Sequence, residues 1–130
     1  MKRYRLDRIG QLLLTRAAVH GPGGTKVVKL LVDTGSSYTI LPVEVLQSTG
    51  CDPALRREGE VRLITGNGVV IAPRVSVEWF HSLGQRIEGL QVAAHTIPFS
   101  EFFDGLLGMD VLMRLQAQVD VRKGAVYVAE

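Results

Sequence analysis

Residues 27–37 read V-V-K-L-L-V-D-T-G-S-S. A run of mostly apolar residues that suits a buried strand stops on an acid, a threonine, a glycine and two serines. A carboxylate placed there loses hydration, which costs roughly several kcal/mol or forces it to take up a proton. Asp33 therefore either caps a local turn or is used by the fold, and the chemistry open to such a group is proton transfer. Gly35 lets the backbone come close to the acid, and its N–H is placed to donate to the carboxylate and hold it flat.

Two other short stretches stand out. Thr65, Gly66, Asn67 and Gly68 lie between apolar runs, and Asn-Gly in that setting is a strong hairpin signal. Leu106, Leu107 and Gly108 precede a short helical pattern. The remaining chemistry-bearing residues form no constellation. Cys51 is the single cysteine, so no intrachain disulfide exists, and it reads as an idle thiol in a loop. His20, His81 and His95 are scattered without paired ligand spacing, so neither a metal site nor a cofactor is expected.

The totals bound the rest. The chain has 130 residues, enough for one domain spanning 1–130 with one core. Its 46% hydrophobic and 22% charged residues are those of an ordinary globular protein. A net charge of +2 gives no case for nucleic acid. Lys2, Arg3, Arg5 and Arg8 read as a solvated end. No apolar stretch approaches the about 18 residues of a membrane span, and the start lacks a cleavable signal pattern. A cytoplasmic protein is expected, and no obvious propeptide is read at the start.

The elements that must position these residues are mostly strands. Leu6 to Ala18 gives a first strand or pair, G-P-G-G at 21–24 a turn, and Lys26 to Val32 the strand leading to Asp33. Tyr38 to Leu41 is a further short strand. Residues 43–48 form a short helix between Pro42 and Gly50. Glu60 to Ile64 and Val69 to Ile71 flank the Thr65–Gly68 turn. Arg74 to Phe80 and Ile87 to Ala94 are strands around a turn at 82–85. Residues 110–115 form a helix with Asp110 as its N-cap, and Val119 to Val121 and Ala125 to Val128 close the chain as strands.

A strand ending in Asp-Thr-Gly-Ser-Ser, a glycine-tipped hairpin some thirty residues on, and Leu-Leu-Gly before a short helix together resemble the aspartic proteases. The resemblance is to the retropepsin-like group, in which each subunit supplies one such motif, and it runs from Lys26 to about Leu115. It implies an all-β fold: a single-lobe closed β-barrel or sandwich with a flap hairpin and one short C-terminal helix. It implies Asp33, Thr34 and Gly35 as the catalytic loop, with Thr34 reaching across to a second copy. Ser36 flanks the acid and is placed to bond its outer oxygen. With Ser36, Ser37, Thr65, Gly66, Asn67, Gly68, Leu106, Leu107 and Gly108 form the substrate-binding set, the hairpin closing over substrate as a flap. Leu106 and Leu107 pack beneath the catalytic loop, where any side chain at Gly108 collides.

Only one Asp-Thr-Gly is present; Asp104-Gly105 lacks the threonine. Two copies must therefore meet about a two-fold axis, giving a homodimer that cleaves peptide or protein substrates seated in apolar subsites. Ser37 and Met109 stand where retroviral members carry a paired Asp and Arg, which points to a cellular or bacterial relative. Phe99, Phe102 and Phe103 are expected to fill core or dimer contacts rather than a substrate pocket. In the viral relatives the termini of two subunits interleave in one sheet, a role open to Met1–Arg8 and Ala125–Val128. A dimeric scaffold that has lost hydrolysis is the alternative, and a monomeric ligand-binding barrel a third possibility.

Overall fold

Two glycine-rich turns organise the first half of the chain. Strand β3 (Leu12–Gly21) turns at Pro22-Gly23 into β4 (Gly24–Val32), pairing from Leu14↔Leu31 to Gly21↔Gly24. A Cβ at Gly21 would lie 2.3 Å from the Thr49 carbonyl oxygen, so only glycine fits where this hairpin meets the following helix. The structure is a computed structural model that describes residues 1–65, 68–98 and 100–130, with the side chain of Thr65 excepted.

Strand β1 (Lys2–Arg5) and the short β2 (Asp7–Ile9) precede this hairpin. After it come β5 (Ile40–Leu41), helix α1 (Val43–Ser48) and helix α2 (Pro53–Arg56). The hairpin partners β6 (Glu60–Thr65) and β7 (Gly68–Ser76) follow, then β8 (Trp79–Ser82), β9 (Gln85–Glu88) and β10 (Gln91–Ala94). The chain ends with β11 (Gly105–Leu107), helix α3 (Met109–Arg114), β12 (Gln118–Asp120) and β13 (Ala125–Val128).

The main sheet runs β6-β7-β10-β5-β11-β4-β3-β8-β9, with β2 paired on β3. The all-β, single-lobe fold expected from the sequence is present as a curled half-barrel, its ladder ending at β6 and β9 with the barrel left open. A separate sheet, β1-β13-β12, is built from the two ends of the chain. The basic start is therefore a paired strand rather than a loose end, with Lys2 set over the Tyr4 ring and Arg8 donating to the Val121 carbonyl.

Three other expectations change. The strand expected over 74–80 splits, because Val77 donates to Leu90 and Glu78 to His20 outside the ladders. The strand expected over 87–94 breaks at Gly89, whose φ of +62° is left-handed. Helix α2 is absent from the elements expected of the sequence, though Asp52 accepts from the Ala54 N–H and Pro53 opens the helix, a recognisable start signal. The larger core gathers β3, β4, β8, α1 and α3 around Val19, Leu30, Leu46, Phe80, Leu107 and Val111. A smaller cluster of Ile40, Val61, Leu63, Ala72 and Ala93 lies under the β6–β7 hairpin.

Candidate active site

Strand β11 threads between β4 and β5. It is parallel to β4, with Leu107 opposite Val32, and antiparallel to β5, with Leu106 opposite Ile40. The chain that leaves β4 at Asp33 and returns in β5 is thus clamped at both ends by the Leu-Leu-Gly strand. The Asp33 N–H donates to the Leu107 carbonyl at 3.0 Å, and Met109 N–H donates to the Ser36 carbonyl at 2.8 Å.

Within the loop, the Gly35 N–H donates to Asp33 Oδ1 at 2.9 Å, as the residue types predict. An added Cβ at Gly35 would lie 3.2 Å from that same oxygen, so the glycine keeps the approach open. The Ser36 N–H closes the turn on the Asp33 carbonyl. Its hydroxyl does not bond the acid: it donates to the Tyr38 carbonyl at 2.7 Å, bracing the loop instead.

Gly108 fits where a side chain does not: the collision is with the backbone of Tyr38 and Thr39, at the far end of the loop that Asp33 opens. A Cβ there would lie 2.5 Å from the Tyr38 carbonyl carbon and oxygen. The same glycine, not Asp110, is the N-cap of α3. Asp110 turns back to the loop, accepting from the Thr39 N–H at 3.0 Å and from its hydroxyl at 2.7 Å. That hydroxyl in turn accepts from the Gly108 N–H. Thr39 is fully buried, and with its carbonyl accepting from the Ala93 N–H, every polar atom it brings inside is satisfied. Asp104 is likewise structural: its carboxylate and N–H meet the Lys29 N–H and carbonyl, fixing the start of β11.

Asp33 is half-buried at the edge of a cavity of about 650 Å³. Gly35, Ser36, Ser37 and Leu106 share that cavity with it. Ile40, Leu63, Val70 and Ile97 make the wall largely apolar. Arg62, His95 and Tyr38 also line it; Arg62 and Tyr38 were not expected at the site, and His95 was read only as one of three scattered histidines. Tyr38 is placed by a guanidinium, Arg74, 6.0 Å from its ring centre, which is legible only once β5 and β7 are known to be near. Phe103 lines the cavity too, Phe102 is half exposed, and Phe99 lies outside the described residues.

Of the other expected substrate-binding residues, Leu107 is fully buried and Gly108 is buried behind the loop, so both support it instead of facing the cavity. Thr34 points elsewhere, to a second hollow of about 360 Å³ that it shares with Met109, Met113 and Val119. Gly68 starts β7 opposite Thr65. Gly66, Asn67 and the side chain of Thr65 lie outside the described residues. Among the described residues, no three of His, Cys, Asp or Glu gather as a metal site would require, and no helix is long and apolar enough to cross a membrane.

The family model described as aspartyl protease matches residues 16–111, which spans this whole arrangement from β3 to the start of α3. The chain belongs to the aspartyl protease family. Its fold is retropepsin-like: it superposes on the crystal structure of a retropepsin-like aspartic protease from Rickettsia conorii with a TM-score of 0.69 at 21% identity, covering 96% of this chain and 88% of that one. No curated protein matches the chain. In this aspartyl protease the matched span takes in the Asp33 loop, the β6–β7 hairpin and the Leu-Leu-Gly strand, and stops before the terminal strands β12 and β13.

Proposed function

We propose that the chain, as a single domain over residues 1–130, is a homodimeric aspartic endopeptidase with Asp33 of each copy forming one catalytic pair. The observation that carries this is the Asp33 carboxylate, oriented by the Gly35 N–H at the mouth of a largely apolar groove, with no cationic partner within ion-pair distance among the described residues. One such carboxylate cannot act as acid and base together. Two about 3 Å apart share a proton and titrate as a pair, a general property of aspartic proteases rather than a reading peculiar to this chain.

The chemistry then balances. The ionised carboxylate takes a proton from water, whose oxygen attacks the peptide carbonyl carbon. The protonated partner gives its proton to the carbonyl oxygen, forming a neutral tetrahedral diol. The carboxyl that took the water proton gives it to the leaving nitrogen while the now ionised partner takes a proton from one diol hydroxyl; the C–N bond breaks, leaving an acid and an amine and the pair again with one proton.

The groove supplies the positioning. Alternation along β6–β7 follows from two backbone bonds at its base, Glu58 N–H to Arg74 carbonyl and Arg74 N–H to Gly59 carbonyl. With Arg74 facing β6, Ala72 and Val70 face it too, so Val61 and Leu63 turn their peptide groups inward. Arg62 and Ile64 are left with peptide groups facing the open edge of β6, and both line the cavity. An extended substrate laid along this edge pairs as an added strand, its side chains entering the pocket of Ile40, Leu63, Ile97 and Leu106. The hairpin is thereby a flap over the acid.

Asp33→Asn tests the reading. Cleavage of a peptide pool falls by about 10²- to 10⁴-fold, while sedimentation shows the same dimer. The parent gives a bell-shaped rate profile with an acidic optimum. An Asp33→Asn variant that cleaves as well as the parent would refute the proposal.

A further inference from the structure

The ends of the chain pair with each other, and that changes how two copies can meet. Strand β13 has β1 on one side and β12 on the other, all within one chain. It has no edge left for a second copy, so an exchange of termini through Ala125–Val128 would require breaking a complete ladder. The free edges of this sheet belong to β1 and β12.

Resting on the aspartic protease reading above, we propose that the two copies join edge to edge through β12, antiparallel about Val119, giving one sheet with three strands from each copy. The peptide directions at this edge follow from the backbone bonds around it. Leu6 N–H donates to the Gly124 carbonyl at 2.8 Å, so Gly124, and by alternation Val126 and Val128, face β1. Ala125 and Tyr127 therefore face β12, and Ala129 N–H donates to Leu115 on that same side. Opposite them, Asp120 and Gln118 turn their peptide groups inward. The N–H and C=O of Val119 are left facing the open edge, where a second Val119 can exchange both bonds.

Three features favour this edge. First, a two-fold axis at Val119 sets each Gln118 across from Asp120 of the other copy. Asp120 Oδ1 accepts from the Lys123 N–H, and its second oxygen is placed to accept from the glutamine amide. Second, the edge adjoins the acid loop: Val119 and Thr34 line the same hollow, beside Met113, which is 70% exposed. Joining there brings Thr34 and then Asp33 toward the same axis, which the incomplete site requires. Third, the other edge repels itself. Strand β1 reads Lys-Arg-Tyr-Arg, and a two-fold pairing would set cations against cations, a known device for blocking strand edges.

Sedimentation across a concentration series tests the edge with three variants. Gln118→Glu sets a like charge against Asp120 twice per dimer and weakens association about tenfold; Gln118→Lys strengthens it by a similar factor at low salt. Val119→Pro removes the edge-facing N–H at a position where proline is tolerated, trims a side chain that packs against the core, and leaves a folded monomer by circular dichroism. The proposal is overturned if Val119→Pro dimerises as the parent does, or if both Gln118 variants shift association in the same direction. It is overturned as well by a parent that stays monomeric at high concentration. The readout is mass and not cleavage, so a dimer that follows this pattern yet cuts no peptide upholds the interface and defeats only the catalytic reading.

Discussion

The floor and the roof of the cavity are held in different ways. The floor, residues 33–39, is tied to β11 on two sides, braced by the Ser36 hydroxyl, and pinned through Thr39 to Asp110. Gly105 and Gly108, on the strand that clamps it, fit against the backbone of Ile40 and Tyr38, where an added Cβ has no room. The roof, the β6–β7 hairpin, hangs from one ladder, has an open edge, and carries Ile64, Val69 and Ile71 largely exposed on its outer face. Pro73 sits in β7 opposite Glu60, where its missing N–H faces away from β6 and takes nothing from the hairpin. The difference teaches that this fold concentrates its redundancy on the position of the acid and leaves the open edge of β6 lightly held, which is what the proposed flap role requires.

The largest way to break the comparison is to overfill the floor. Gly108→Ala places a methyl group 2.5 Å from the Tyr38 backbone, so β5 or α3 must shift. Overpacking of this kind costs about 1–3 kcal/mol, and thermal melting should show a drop of several degrees together with a loss of cleavage. The same Gly→Ala change at Gly68, where nothing lies near an added Cβ, meets no such wall; its strain is of backbone only, at φ +115°.

Next comes the pin. Asp110→Ala leaves the N–H and hydroxyl of a fully buried Thr39 without their acceptor, a cost of about 1–3 kcal/mol. Asp110→Asn keeps one acceptor oxygen and should melt between the two. Equal melting temperatures for all three proteins would show that the floor does not depend on this pin.

These two residues also show where the sequence stops being legible. The Asp33 loop could be read because its parts are consecutive: an apolar strand, then the acid, the glycine and the serines. The β6–β7 hairpin could be read because Thr-Gly-Asn-Gly is a local turn signal between apolar runs. Gly108 was legible as a close approach but not as an approach to Tyr38. Asp110 stands 71 positions from Thr39; next to an apolar helical pattern it reads as an N-cap, and only the β5–β11 pairing reveals its use. Tyr38, Arg62 and His95 reach the cavity by the same long-range pairings. The terminal sheet was illegible for another reason. Lys-Arg-Tyr-Arg shows no alternation of apolar and polar residues, because β1 is exposed along most of its length.

The roof can be tested without touching the floor. Arg62→Pro removes an N–H that faces the open edge, so the β6–β7 ladder keeps its bonds and melting should move by no more than about 0.5 kcal/mol equivalent. A substrate strand loses one backbone bond, and KM should rise by up to about tenfold with kcat less affected. A large loss of stability instead would mean that Arg62 faces β7 and that the edge has been assigned to the wrong residues.

The smallest effect lies where the hairpin joins the sheet. Glu58 accepts from the Ser76 hydroxyl at 2.8 Å and from the Gln91 amide at 3.1 Å. These bonds, the one from Ser76 first, favour the ionised form and hold its carboxyl below the usual value of 4.5. A lowered folded-state pKa adds stability above that value and loses it as pH falls through the folded one. Glu58 is exposed, so water and salt screen most of the gain. Melting of Glu58→Gln should therefore trail the parent slightly at about pH 6, with the gap closing as pH drops below 4.5. Since Gln91 also contacts Arg74, the residue set over Tyr38, the same variant reports whether the base of the roof is coupled to the wall of the cavity. A change in KM at that pH as large as that of Arg62→Pro would mean that the roof is positioned from its base more than from its edge.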